Sequence, residues 1–183
     1  CFPSSMVDRI VPAVTEYDKL SITEQLKCRD EAAVICEPFR QWVIENNFAC
    51  GLPDFQSVGV QLTDDIRPYE EMKLRLLNGT HSTIAYLGFL AGYEYVSDAM
   101  LDSTFLKFIR EMMDEEISPT LKTHPSIDLA EYKIALLDRF KNPGLRHRTW
   151  QIAMDGSQKI PQRLLNTVRE QVLHKRPFSK ISL

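Results

Sequence analysis

The chain has 183 residues, 44% hydrophobic and 26% charged, which is ample for one globular domain with a proper core. A net charge of -3 and a pI near 5.8 leave no electrostatic footprint for nucleic acid, and no apolar run approaches the roughly 20 residues of a membrane span. A soluble, cytoplasmic protein is expected. Cys1, Cys28, Cys36 and Cys50 form no close pairs and fit no common zinc spacing, so reduced thiols are expected. The chain begins without Met and stops as an apolar segment is starting, so it reads as a piece of a longer protein.

In chain order, CFPSSMVDRIVPAV, bracketed by Pro3 and Pro12, reads as an extended strand or loop. Asp8 beside Arg9 in this apolar setting suggests an ion pair or an orienting role. A short helix with poor apolar spacing follows over Tyr17 to Lys27. AAVIC from Ala32 and QWVIE from Gln41 have strand character, separated by Pro38, and SVGVQLTDDI from Ser57 offers a third strand, giving a small mixed or antiparallel sheet. From Pro68 the pattern becomes helical and continues to Tyr93, with a second half apolar nearly all round, as in a central buried helix. Ser97 or Asp102 caps the next helix, which turns Phe105, Phe108, Ile109 and Met112 or Met113 inward and ends at Pro119. Asp128 caps LAEYKIALLDRF, which Asn142-Pro143-Gly144 closes. Two last helices flank Asp155-Gly156-Ser157, with Pro161 expected in the first turn of the second.

Residues 70–81, EEMKLRLLNGTH, place polar groups inside that long apolar pattern. On a regular helix Lys73, Glu70, His81 and Asn78 fall at about 0°, 60°, 80° and 140° around the axis, and Lys73 lies roughly 12 Å along it from His81. A long amine aimed at the imidazole can meet the same ligand. Equally, Asn-Gly is a turn dipeptide and Thr80 can cap a new helix, so local chemistry leaves a break and a continuous helix both open.

Three motifs occur in order: FPSSMVDRIVP from Phe2, KLRLLNGTH from Lys73 and DGSQKIPQR from Asp155. CEPFRQWVIE from Cys36 and RHRTWQIAMDGSQK from Arg146 add to them. Together they resemble the mannitol dehydrogenase and fructuronate reductase family of polyol and sugar-acid dehydrogenases over essentially the whole chain. The resemblance implies a mainly α, multi-helical C-terminal substrate domain, residues 1–183, of the 6-phosphogluconate-dehydrogenase-like type with a few short strands near its start. It also implies a nucleotide-binding Rossmann domain before Cys1, and no Gly-rich dinucleotide fingerprint follows a strand here.

By that resemblance, NAD serves as cofactor without a metal and is held mainly by the other domain. Lys73 is the general acid/base, Asn78 a donor to the reacting oxygen, and His81 a group that holds a substrate hydroxyl or tunes the lysine. Lys159, Asp8 and Arg148 are placed around the substrate, and Glu70 gates proton exchange with solvent. Such chemistry requires proton transfer at oxygen while hydride moves at carbon, and a lysine brought near neutrality by burial can perform it. Arg146, Arg148, Lys159 and Arg163 against Asp155 form a cationic excess that suits a carboxylate. The wording lies nearer the fructuronate reductase branch, so D-mannonate and D-fructuronate are the expected pair, with mannitol and fructose as the alternative. A non-catalytic helical interaction domain and a cofactor-free hydrolase using His81 are the rivals from other classes; the latter lacks a nucleophile motif. The isolated piece is expected to be inactive.

Overall fold

In the computed structural model, which describes residues 2–122 and 124–183, SMVD alternates exposed and buried side chains and forms strand β1 (Ser5–Asp8). It pairs antiparallel with β2 (Gln41–Glu45), Ser5 opposite Ile44 and Asp8 opposite Gln41, and β2 pairs parallel with β3 (Gln61–Thr63). The sheet is therefore mixed. Between its first two strands, α1 (Glu16–Leu26) starts at a capping box of Thr15 and Asp18 and buries none of its residues, as its irregular apolar spacing implies.

AAVIC, expected as a strand, is irregular. Val34 is 63% exposed, and just past the run the Glu37 backbone bonds to Ile10 and to the Arg9 side chain rather than to a strand. Cys1 lies outside the described residues; Cys28, Cys36 and Cys50 are free thiols.

The centre of the molecule is one uninterrupted helical run over residues 67–90: α2 (Arg67–Met72), a π-helical turn (Lys73–Gly79) and α3 (Thr80–Leu90). Asn78-Gly79 does not break it. Gly79 has helical angles, φ -64° and ψ -55°, and it is glycine for another reason. A Cβ there would lie 2.9 Å from the carbonyl oxygen of Arg163, so only a bare backbone lets the last helical segment cross so closely. The run stops at Leu90 rather than Tyr93, because Gly92 turns into the left-handed region at φ +88°.

Asp102, and not Ser97, is the next cap: its carboxylate accepts from the backbone of Thr104 and Phe105 at the start of α5 (Ser103–Glu111), while Ser97 lies inside α4 (Val96–Leu101). A π-helical turn (Met112–Ile117) prolongs α5 before Pro119. Ile109, Met112 and Met113 are fully buried, with Phe105 and Phe108 packed against them at the core margin. α6 (Leu129–Phe140) is capped by Asp128 as expected.

The chain ends with α7 (Thr149–Ala153), α8 (Gly156–Ile160), a π-helical turn (Pro161–Leu165) and α9 (Asn166–Leu173). The break falls at Asp155, φ 60°, but the helix then begins at Gly156, so Pro161 lies beyond its first turn. The i→i+5 pattern starts at that proline, where the missing N–H removes an i→i−4 bond.

Leu76, Ile84, Met100, Leu136 and Phe140 centre one core made by α3, α4, α5 and α6 around the π-helical turn. Met6, Val43, Ile66 and Tyr69 form a second, smaller one under the sheet. Among the described residues no helix is long and apolar enough to cross a membrane. The architecture is mostly helical with a few strands toward the N-terminal end.

Candidate active site

Lys73 and Asn78 open and nearly close the π-helical turn. Its i→i+5 hydrogen bonding brings residues five apart onto nearly the same side of the axis, whereas a regular helix would splay them. Lys73 is half-buried, and its amine donates to the carbonyl oxygen of Val7 on β1. Asn78 is half-buried too, and its side-chain amide has no hydrogen bond to any described residue. It is a donor held ready.

His81, in the first turn of α3, is 7% exposed. Its ring stacks on Phe140 at 5.3 Å and meets the edge of His147 at 4.7 Å. Burial, followed by the charges of His147, Arg163, Arg139 and Lys159, pushes its pKa well below the ordinary histidine value, so the imidazole is neutral at pH 7. Lys159 lies within electrostatic reach of both rings and donates to the carbonyl of Ile152 at 3.2 Å. Arg163 donates to the Ser82 hydroxyl at 3.0 Å. No hydrogen bond or ring contact joins Lys73 to His81 among the described residues.

Asp8 is fully buried and takes no place in an open cleft. Arg139 grips it at 3.0 and 2.7 Å, and the Tyr132 hydroxyl donates to it at 2.9 Å. The same guanidinium reaches both oxygens of Glu37 at 2.9 and 2.7 Å and lies 4.0 Å over the Phe39 ring. Burial works against its charge, but the hydrogen bonds it donates to Asp8 and Glu37, with their negative charges, outweigh that and raise the Arg139 pKa above its ordinary value. Burial and the Asp8 charge likewise push the Tyr132 phenol well above 10. Asp8 thus sits one residue beyond the carbonyl that receives Lys73, and it anchors that strand.

Arg148 points elsewhere. It is half-exposed, 3.7 Å from Glu94, and with Arg146, Tyr95 and Trp150 it lines a separate open cavity of about 590 Å³. Glu70 is exposed and has no ion pair among the described residues, one turn before Lys73. No group of three or more His, Cys, Asp or Glu that could hold a metal occurs among the described residues.

The sequence reading missed Arg139, Glu37, Tyr132 and His147. The first three come together across separations of 102 to 131 residues, which no local spacing reports. His147 carried a signal, since it is the middle residue of an Arg-His-Arg run whose flanks were read for charge alone.

A mainly helical domain presenting an amine, an amide and a neutral imidazole from one helix suits the substrate side of a dehydrogenase, where a proton is handled at oxygen. The chain belongs to the mannitol dehydrogenase family of oxidoreductases: residues 65–183 match the model of the mannitol dehydrogenase C-terminal domain, and residues 1–57 match that of its Rossmann domain. The two matches leave residues 58–64, just before the central helix, between them.

D-mannonate oxidoreductase of Escherichia coli K12 is 54% identical over 92% of this chain and 35% of its own length. Mannitol 2-dehydrogenase of Aspergillus fumigatus is 42% identical over 98% of this chain and 36% of its own. The solved ternary complex of Pseudomonas fluorescens mannitol 2-dehydrogenase with NAD and D-mannitol superposes with a TM-score of 0.90 at 41% identity, covering 99% of this chain and 37% of that one. The chain therefore spans a little over a third of the length of these relatives.

Proposed function

We infer that the full protein is an NAD-dependent oxidoreductase interconverting D-mannonate and D-fructuronate, with Lys73 as general acid/base. The observation that carries this is the unbroken helix whose π-helical turn holds both Lys73 and Asn78, with the Asn78 amide making no hydrogen bond to a described residue. The amine, amide and neutral imidazole fit an alcohol or carbonyl oxygen. When bound, NAD supplies the hydride-accepting ring. In the oxidation direction, Lys73 takes the hydroxyl proton while Asn78 donates to the oxygen as negative charge develops on it. His81 holds a neighbouring substrate hydroxyl, and Lys159 binds a further substrate oxygen. Glu70, exposed one turn before Lys73, passes the proton to solvent. Asp8 serves by holding Arg139 and β1, which fixes the Val7 carbonyl against the lysine.

Support for the sugar acid comes from the 54% identity to D-mannonate oxidoreductase and from Lys159 and Arg163 near His81. The mannitol 2-dehydrogenase reading keeps one specific argument: Arg146 and Arg148 face the separate cavity, which removes half of the cationic excess from the imidazole side. NADH-dependent reduction of fructuronate, tagaturonate and fructose by the full-length protein tests both. Fructuronate should be preferred, and a strong preference for fructose would reverse the choice. The 183-residue piece alone should turn over none of them.

A further inference from the structure

At Arg148 the chain is extended and bridged to Tyr95, and in an extended chain neighbouring side chains point to opposite faces. Arg148 lines the open cavity, as does Arg146, while His147 turns the other way onto His81. This segment is held on both sides. The Val96 amide donates to the His147 carbonyl at 3.0 Å, and the Thr149 amide donates to the Glu94 carbonyl at 2.9 Å. The residue before it, Arg146, sits at φ 42°, a left-handed conformation for a non-glycine residue of the kind that persists where surroundings impose it.

The two imidazoles meet at 4.7 Å and share a cleft of about 10 Å³ rimmed by Ser97, Arg139 and Asn142. That is room for one oxygen-sized group. Among the described residues, His147 Nδ1 is buried without a hydrogen-bond partner and the His81 ring has no hydrogen bond. Burial, and secondarily Lys159, lowers the His147 pKa to about 4, so both rings act as neutral hydrogen-bonding groups. A buried polar nitrogen with no partner costs stability, and a ligand hydroxyl in the cleft is the partner that both rings lack.

We propose that His147 is a substrate-binding residue, which with His81 receives one chain hydroxyl of the sugar acid or polyol away from the reacting carbon. This rests on the dehydrogenase reading above. The test uses the full-length protein with NADH and fructuronate, comparing His147→Phe with His147→Asn, which keeps a hydrogen-bonding group. The phenylalanine variant should raise KM about three- to tenfold, the range for one lost hydrogen bond, with kcat and the KM for NADH little changed, and asparagine should recover part of the loss. Fructuronate analogues each lacking one chain hydroxyl locate the contact: on one of them the His147→Phe penalty should vanish. An equal penalty on every analogue, or an unchanged KM, overturns the proposal. If the phenylalanine variant does not fold, the asparagine variant against the same analogues decides it. A wild-type protein that reduces no keto sugar would instead overturn the dehydrogenase reading itself.

Discussion

Around Arg139 each carboxylate oxygen of Asp8 and Glu37 has a donor, and Tyr132 and the Ile10 amide complete the set. One residue further along α6, Phe140 stacks on His81, and there the terms reverse. The Asn78 amide and the imidazoles of His81 and His147 have no hydrogen-bond partner among the described residues. Both clusters are largely buried and polar. The first has its polar requirements met from within the chain, so it serves the fold, whereas the second leaves them open, as the proposed substrate site requires. The contrast predicts that changes in one cluster cost stability and in the other cost rate.

The largest effect should come from the site side. Lys73→Ala in the full-length protein should lower kcat by about 10²- to 10⁴-fold while nucleotide binding, followed by NADH fluorescence, stays nearly intact; full turnover would remove the lysine from its role. On the fold side, Arg139→Met leaves two carboxylates buried without a cation and should cost about 3–5 kcal/mol, measured by urea unfolding. A midpoint unchanged from wild type would break the contrast.

Asn78→Ala should lose about 2.7–4 kcal/mol of transition-state stabilisation with little change in thermal midpoint, and a rate within twofold of wild type would reduce Asn78 to a helix residue. Acid sharpens the same division. The folded state holds His81 and His147 neutral below their unfolded values, His147 down to about 4. As pH falls from about 6.5, the unfolded chain takes up protons that the folded one refuses, so each histidine removes up to about 1.4 kcal/mol of stability per pH unit. Above about 6.5 neither contributes. Urea midpoints at descending pH should show this slope, and His81→Phe should lessen it; equal slopes would contradict the buried neutral pair. Smallest is Gly79→Ala, where the added Cβ meets the Arg163 carbonyl at 2.9 Å and should cost about 1–3 kcal/mol in a thermal melt.

Much of this was legible along the chain. The helices capped by Asp102 and Asp128, the apolar face of residues 67–90 and the strand character of QWVIE follow from local rules, since caps and periodicity act within a few residues. The polar positions Lys73, Asn78 and His81 stood out because they interrupt an apolar face. Asn78-Gly79 was ambiguous for a physical reason: glycine serves both a turn and a close helix crossing, and only the position of Arg163, 84 residues on in the numbering, distinguishes them.

What the sequence by itself determined, then, is the order of elements and the residue types that can move a proton, because both are encoded in neighbours. Tertiary structure alone decided that Asp8 is an anchor, that Arg148 faces another cavity and that His147 stands against His81. Those outcomes depend on which buried groups find partners across 100 or more residues of chain, and a polar side chain declares itself structural or functional only once its partners are in place.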